Sequence, residues 1–219
     1  MLISLFLVLF ACSGQNASTP APKPEPRPAA PATAPATAPL GAAESTGNPL
    51  LNPKAATLQA PETYEVKFET TKGDFTATLD SKKAPVSVNN FVVLSRYHFY
   101  DGVPFHRIVP GFVIQAGDGD GDPWGNNDLG YSIHDELPAS SAEYVDYSLA
   151  MANSGPNTNG SQFFVVLPGG GAQLQPNYSW FGQVTQGQDV VAAIGALGNA
   201  EQKPTEAVII NSVRIDETE

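Results

Sequence analysis

Phe105-His106-Arg107-Ile108-Val109-Pro110-Gly111-Phe112-Val113-Ile114-Gln115 sets one permanent cation, Arg107, in an otherwise apolar, strand-like run, with a glutamine eight residues later. A second unusual stretch follows, Met151-Ala152-Asn153-Ser154-Gly155-Pro156-Asn157-Thr158-Asn159-Gly160-Ser161-Gln162-Phe163-Phe164. Both combine short apolar runs with Gly, Asn and Pro, the composition of brief strands separated by tight loops.

Working outward, the surrounding segments have the same character. Tyr64, Val66 and Phe68 alternate with Glu65, Lys67 and Glu69; Phe75, Ala77 and Leu79 alternate likewise after Lys72-Gly73. This spacing predicts a β-hairpin. Pro85 opens a helical pattern with Val88, Phe91 and Leu94, reaching about Tyr97, and proline is well placed in a first helical turn. Further strands are expected at 105–109, 112–116, 148–151, 163–167, 180–184 and 207–215, and a second helix at 189–196. Many short strands with two helices favour a mainly β, closed antiparallel barrel over an α/β sheet.

Composition divides the chain of 219 residues. Of its 20 prolines, 11 lie at or before Pro61, in a Pro/Ala/Thr/Ser-rich segment with no apolar period. Such a segment cannot bury enough surface to offset its conformational entropy, so it reads as a disordered linker. Residues 13–61 carry a net charge of +1 and the remainder −12. An acidic domain argues against a nucleic-acid partner, which calls for a basic patch. Leu2 to Ala11 is an apolar run too short to span a bilayer and fits a secretory signal. Cys12, the sole cysteine, permits neither an internal disulfide nor a cysteine-ligated metal site.

Leu9-Phe10-Ala11-Cys12 resembles a bacterial lipobox, although Met1 to Ser4 lacks the usual basic residue. The expected organisation is a signal peptide at 1–11, a lipidated Cys12 with linker at 12–61, and one folded domain at 62–219. A linker of this length would reach roughly 40 Å as a coil and up to roughly 150 Å as polyproline. The domain would then be held at the cell envelope on the extracytoplasmic side, facing the periplasm in a Gram-negative cell.

The two opening stretches closely resemble the signature segments of the cyclophilins, a family of peptidyl-prolyl cis-trans isomerases, and the similarity extends over Tyr64 to Ile215. It implies an eight-stranded barrel with a helix capping each end. An interior filled by side chains would leave the groove outside. By position, Arg107 matches the catalytic arginine, with Gln115 beside it. Phe112, Val113, Phe164 and Leu174 match the proline pocket, Val113 replacing a more usual methionine or leucine. Gln115, Ala152, Asn153 and Gln162 match the groove for the peptide backbone. Phe105, Ser154 and Tyr178 complete the expected substrate contacts. Gln173 stands where many eukaryotic members carry tryptophan, which implies weak cyclosporin binding. The implied partners are proline-containing polypeptides, bound by a monomer without cofactor or metal.

That chemistry suits these residue types. Rotation about an X-Pro bond is slow because amide resonance imposes a barrier of ~18–20 kcal/mol. The twisted transition state localises a lone pair on nitrogen. A fixed donor beside a water-excluding slot accelerates rotation insofar as it binds the twisted form more strongly than the planar one. Taken alone, Arg107 reads as a surface arginine flanking a strand; the company of two matching segments favours the groove. The alternative is a proline-peptide binding module or chaperone with little turnover; a structural surface lipoprotein has no specific support.

Other patterns compete less well. Asp118, Asp120 and Asp122 alternate with glycine, yet Pro123 and Leu129 occupy the places where a calcium loop needs Gly and Glu. His134-Asp135-Glu136 reads as a loop capping a strand or helix rather than a metal cluster. Gly169-Gly170-Gly171 lacks the Lys-Ser/Thr of a phosphate loop. Asn159-Gly160-Ser161 and Asn177-Tyr178-Ser179 are formal glycosylation sequons, better explained as groove segments. No Gly-x-Ser-x-Gly nucleophile elbow occurs.

Overall fold

Alternation along the first two strands translates directly into burial. A computed structural model describes residues 63–119 and 129–217. Strands β1 (Thr63–Thr70) and β2 (Gly73–Asp80) form an antiparallel hairpin with Val66 opposite Ala77 and Phe68 opposite Phe75. Tyr64, Val66, Phe68, Phe75, Ala77 and Leu79 are all buried. The Phe68 and Phe75 rings stack at 4.5 Å.

Helix α1 (Pro85–Arg96) begins on proline and makes no capping bond from its own N-cap residue. The cap comes from far along the chain. The Glu136 carboxylate accepts from the Val86 and Ser87 amides at 2.9 and 2.8 Å, and from the Ser87 hydroxyl at 2.8 Å. A carboxylate there satisfies orphan amides and complements the helix dipole. The His134–Glu136 segment is thus a capping loop. The helix buries Val88, Phe91, Val92 and Leu94. Phe91 packs against Phe68, Tyr100, Phe163 and Phe181.

The remaining elements are β3 (Arg107–Val109), β4 (Val113–Ala116), β5 (Ser148–Met151), β6 (Phe163–Val166), β7 (Trp180–Gln186), α2 (Gln188–Gly195) and β8 (Ile210–Glu217). One antiparallel sheet runs β3-β4-β6-β5-β7-β2-β1-β8. It curls into a half-barrel, with α1 against β8, β2 and β7, and α2 against β2, β3 and β4.

The expected closure is not reached. Among the described residues, the edge strands β3 and β8 share no ladder. A single bridge from Pro104 to Ile209 crosses the seam, with hydrogen bonds from the Phe105 amide to the Val208 carbonyl, from the Ile210 amide to the Val103 carbonyl and from the Gly102 amide to the Ile210 carbonyl. Pro104 sits at a non-hydrogen-bonded position of this bridge, so its missing N–H breaks no bond to Ile209; the pairing ends there, and β3 begins at Arg107 instead of Phe105. The expected signal peptide, Cys12 and linker lie outside the described residues, as do Asp120 and Asp122.

Candidate active site

Strands β4, β6 and β5 have two apolar faces. Ile114, Ala116, Phe163, Val165, Leu149 and Met151 point into the main core. Val113, Phe164, Val166 and Ala150 form a second cluster with Tyr144 and Leu174, against which Phe112, Ala152, Tyr178 and Trp180 pack. Such strands show no alternation, since both faces are covered.

Register explains the eight-residue spacing of the opening motif. The β3–β4 hairpin turns at Gly111, whose φ is +70°, and sets Arg107 directly opposite Gln115. Gln115 lies opposite Phe164 on β6, and Phe164 opposite Ala150 on β5. The cation, its amide neighbour and the aromatic wall therefore form one cross-strand row.

The row faces a groove of about 500 Å³. Arg107, Phe112, Val113 and Gln115 lie on one side. Ala152, Asn153, Ser154 and Gln162 lie along the second signature stretch, and Phe164, Leu174 and Tyr178 form the apolar end. Phe105 is the exception. It is fully buried in the main core and does not line the groove, because it precedes β3 and is held by the Val208 carbonyl.

A polar relay holds the arginine. Arg107 Nη1 donates to Gln115 Oε1 at 3.1 Å, Gln115 Nε2 to Gln162 Oε1 at 2.8 Å, and Gln162 Nε2 to Asp118 Oδ2 at 3.2 Å. Asp118, a candidate calcium ligand by sequence, is buried and ends this chain. A carboxylate can only accept, so it orients both amides with their oxygens toward Arg107. On the other side, Arg107 Nε donates to Gln202 Oε1 at 2.8 Å. Burial lowers the Arg107 pKa, with Tyr178 acting in the opposite direction. An arginine's ordinary value is so high that the charge persists at neutral pH. Burial and the neighbouring Arg107 charge push His106 down to about 4.

Three further contacts shape the apolar end. The Tyr144 hydroxyl donates to the Tyr178 carbonyl at 2.7 Å and accepts from the Tyr178 amide at 3.1 Å. Burial raises the Tyr144 pKa to about 12, which keeps that hydroxyl protonated. The Tyr178 ring meets Phe164 edge-on at 5.3 Å. Two of the three consecutive glycines are there for close packing. A Cβ on Gly170 or Gly171 would sit 2.2 Å from the Phe112 carbonyl oxygen or 1.7 Å from that of Tyr144. Their absence lets the loop carrying Leu174 press onto the groove.

The Asn153 side chain is engaged within the protein, donating to the Asn177 carbonyl at 2.9 Å and accepting from the Gly155 amide at 3.3 Å. It ties the second signature stretch to the loop bearing Tyr178. Asn159, in the first sequon, is fully buried and donates to Asp135 Oδ1 at 2.7 Å. Asp118, Tyr144 and Gln202 were not singled out for the site by sequence. Tyr131 and Thr158 also line the groove. Thr158 belongs to the second signature stretch and is held locally by Ser154 and Gly155, whereas Asp118, Tyr144 and Gln202 carry no local signal because each is recruited across a long sequence separation.

Residues 65–215 match the family described as cyclophilin type peptidyl-prolyl cis-trans isomerase/CLD. Peptidyl-prolyl cis-trans isomerase-like 1 of Aspergillus oryzae is 39% identical over 155 residues, covering 70% of this chain and 96% of the relative. The probable peptidyl-prolyl cis-trans isomerase A of Mycobacterium leprae is 38% identical over 166 residues, covering 68% and 90%. Among solved structures, a cyclophilin type isomerase of Cryptosporidium parvum superposes with a TM-score of 0.65 at 30% identity, over 72% of this chain and 99% of that one. A second structure of that protein, determined in the presence of the dipeptide Ala-Pro, gives 0.64 at 30% identity, over 70% and 99%.

Proposed function

This chain belongs to the cyclophilin-type peptidyl-prolyl cis-trans isomerases, and from that premise we propose that Arg107 is the donor that stabilises the twisted X-Pro bond. The observation that carries this reading is the guanidinium, gripped at Nε and Nη1 beside the Phe112 and Phe164 rings. Among the described residues, Nη2 has no protein partner, so its donors serve the substrate.

The proline ring enters the slot formed by Phe112, Val113, Phe164 and Leu174, with Tyr178 as a rim. Ala152, Asn153, Ser154 and Gln162 receive the extended peptide, Asn153 through its backbone because its side chain holds the Tyr178 loop. As the imide twists, nitrogen gains a localised lone pair and the carbonyl swings. A donor already fixed in place meets this charge without reorganising, which is worth roughly 3–4 kcal/mol when water is excluded. Each ~1.4 kcal/mol corresponds to a tenfold rate. No covalent intermediate and no proton transfer is needed.

The test is isomerisation of an Ala-Pro peptide, followed by NMR exchange. Arg107→Ala is expected to lose at least about 100-fold in kcat/KM with the circular dichroism spectrum and the peptide Kd largely retained. Wild-type turnover in that variant would sink the mechanism. Binding without turnover in the wild type would favour the peptide-binding alternative.

The biological setting is part of the same proposal. The signal-like start, the lipobox resemblance at Cys12 and the Pro/Ala-rich segment support a bacterial lipoprotein. Its domain, from about residue 62, is a monomer tethered outside the cytoplasm, acting on exported proteins. X-Pro isomerisation limits folding over tens of seconds and needs no ATP to catalyse. Mass spectrometry of the mature N-terminus tests this: a diacylated or triacylated Cys12 is expected, and an unprocessed Met1 overturns it.

A further inference from the structure

Gln202 is one of four non-glycine residues with positive φ among the described residues, at +61°. A side chain with a Cβ is disfavoured there, and the usual occupants are glycine and asparagine. Glutamine has no local reason to occupy such a place. Its side chain does have a long-range one: Oε1 accepts from Arg107 Nε at 2.8 Å, across 95 positions of sequence. Its backbone is tied to the same strand, because the Ile108 amide donates to the Gln202 carbonyl at 2.9 Å.

The surrounding loop is built to hold this pose. The Gln202 amide donates to the Asn199 carbonyl at 3.0 Å, and the Asn199 amide to the Lys203 carbonyl at 2.9 Å. Asn199 Oδ1 accepts from the Lys203 amide at 2.9 Å. A Cβ on Gly198 would lie 2.5 Å from the Ile108 carbonyl oxygen, so the loop lies flush against β3. Strained backbone at a groove, over-determined by its neighbours, is where a functional constraint is to be sought.

We propose that Gln202 is a positioning residue for Arg107, setting the plane of the guanidinium from the side opposite Gln115. One amide oxygen on Nε and another on Nη1 leave the planar fork no free rotation, so Nη2 is presented to the groove in one orientation. Gln115 alone would leave the fork free to swing about a single hydrogen bond. This inference rests on the reading of Arg107 as the transition-state donor.

Two substitutions separate the hydrogen bond from the backbone. Gln202→Met keeps the Cβ and the length but removes the acceptor. Gln202→Gly removes the acceptor and relieves the positive φ. Both are expected to lower kcat about tenfold with KM little changed, as for loss of an interaction made in the transition state. Tm should be unchanged for Gln202→Met and raised for Gln202→Gly; a merely structural residue would lower stability and rate together. In the 15N spectrum, the Arg107 Nε–H signal should shift and exchange faster in both variants.

In an Arg107→Ala background, neither change should cost further rate. Wild-type kcat in Gln202→Met with an unmoved Nε–H signal overturns the proposal. So does a full additional loss in the Arg107→Ala background. If Arg107→Ala itself turns over normally, the functional reading fails and takes this inference with it. If Arg107→Ala is inactive while both Gln202 variants are normal, the inference fails alone.

Discussion

The β1–β2 hairpin and the β4–β6–β5 patch belong to one sheet but use their outer faces differently. In the hairpin, buried residues alternate strictly with wetter ones, and the outer face carries charges such as Lys67, Glu69 and Asp74, joined by ion pairs. In the patch, β5 and β6 are buried at every position. The inner face is the same kind of core in both. What differs is that the outer face of the patch is roofed by loops from Tyr144, Leu174 and Tyr178. A sheet face that loses its alternation marks where something lies over it, here the protein's own loops, and Leu174 and Tyr178 on those loops line the groove.

The sharpest way to break the comparison is on one strand. Phe163 and Phe164 are sequence neighbours on opposite faces of β6. Phe163→Ala should cost about 3–5 kcal/mol of stability, measured by urea denaturation, and leave kcat/KM per folded molecule nearly unchanged. Phe164→Ala should do the reverse, costing less stability because the groove opens to solvent. It should lose roughly 10–100-fold in kcat/KM through the missing proline contact. Equal effects on both quantities would show that the two faces are not functionally separate.

Next in size is the relay. Gln115→Leu should lose about tenfold in kcat, since it leaves a charged donor without its acceptor. Gln162→Leu should lose only a few-fold, because it acts through Gln115. An inverted order would mean that Gln162 meets the peptide more directly than the relay allows.

A pH measurement separates the two regions more gently. His106 has a folded pKa of about 4, below its unfolded value of about 6.5. The unfolded chain therefore takes up a proton that the folded one refuses, so the His106 contribution to stability falls as pH drops from about 6.5 toward 4. Tm measured across this window should fall less steeply in His106→Gln, while activity of the folded fraction stays flat because Arg107 keeps its charge. The smallest effect lies away from both faces. Glu136→Gln should cost about 1 kcal/mol at the α1 N-terminus, read by thermal denaturation, without altering kcat.

Much of this was written locally. Hairpin alternation announced β1 and β2 and Pro85 announced α1, because each depends on neighbours two to four positions away; the groove residues came instead from the resemblance of the two stretches to the family's signature segments. Phe105 shows the limit: it belongs to the motif, but it precedes β3 and its ring lies in the core. Closure of the barrel failed as an expectation because it depends on pairing between the edge strands β3 and β8, which are far apart in sequence.

By itself, the sequence determined a mainly β domain, an isomerase-like pairing of Arg107 with an apolar slot, and a tail of different composition. Only the tertiary structure decided that Glu136 caps α1, that Asp118 orients two glutamines, that Tyr144 clamps Tyr178 and that Gln202 grips Arg107. Those contacts span 34 to 95 positions, and no periodicity encodes them. They exist because a curled sheet brings distant loops to one face, where buried polar atoms must find partners.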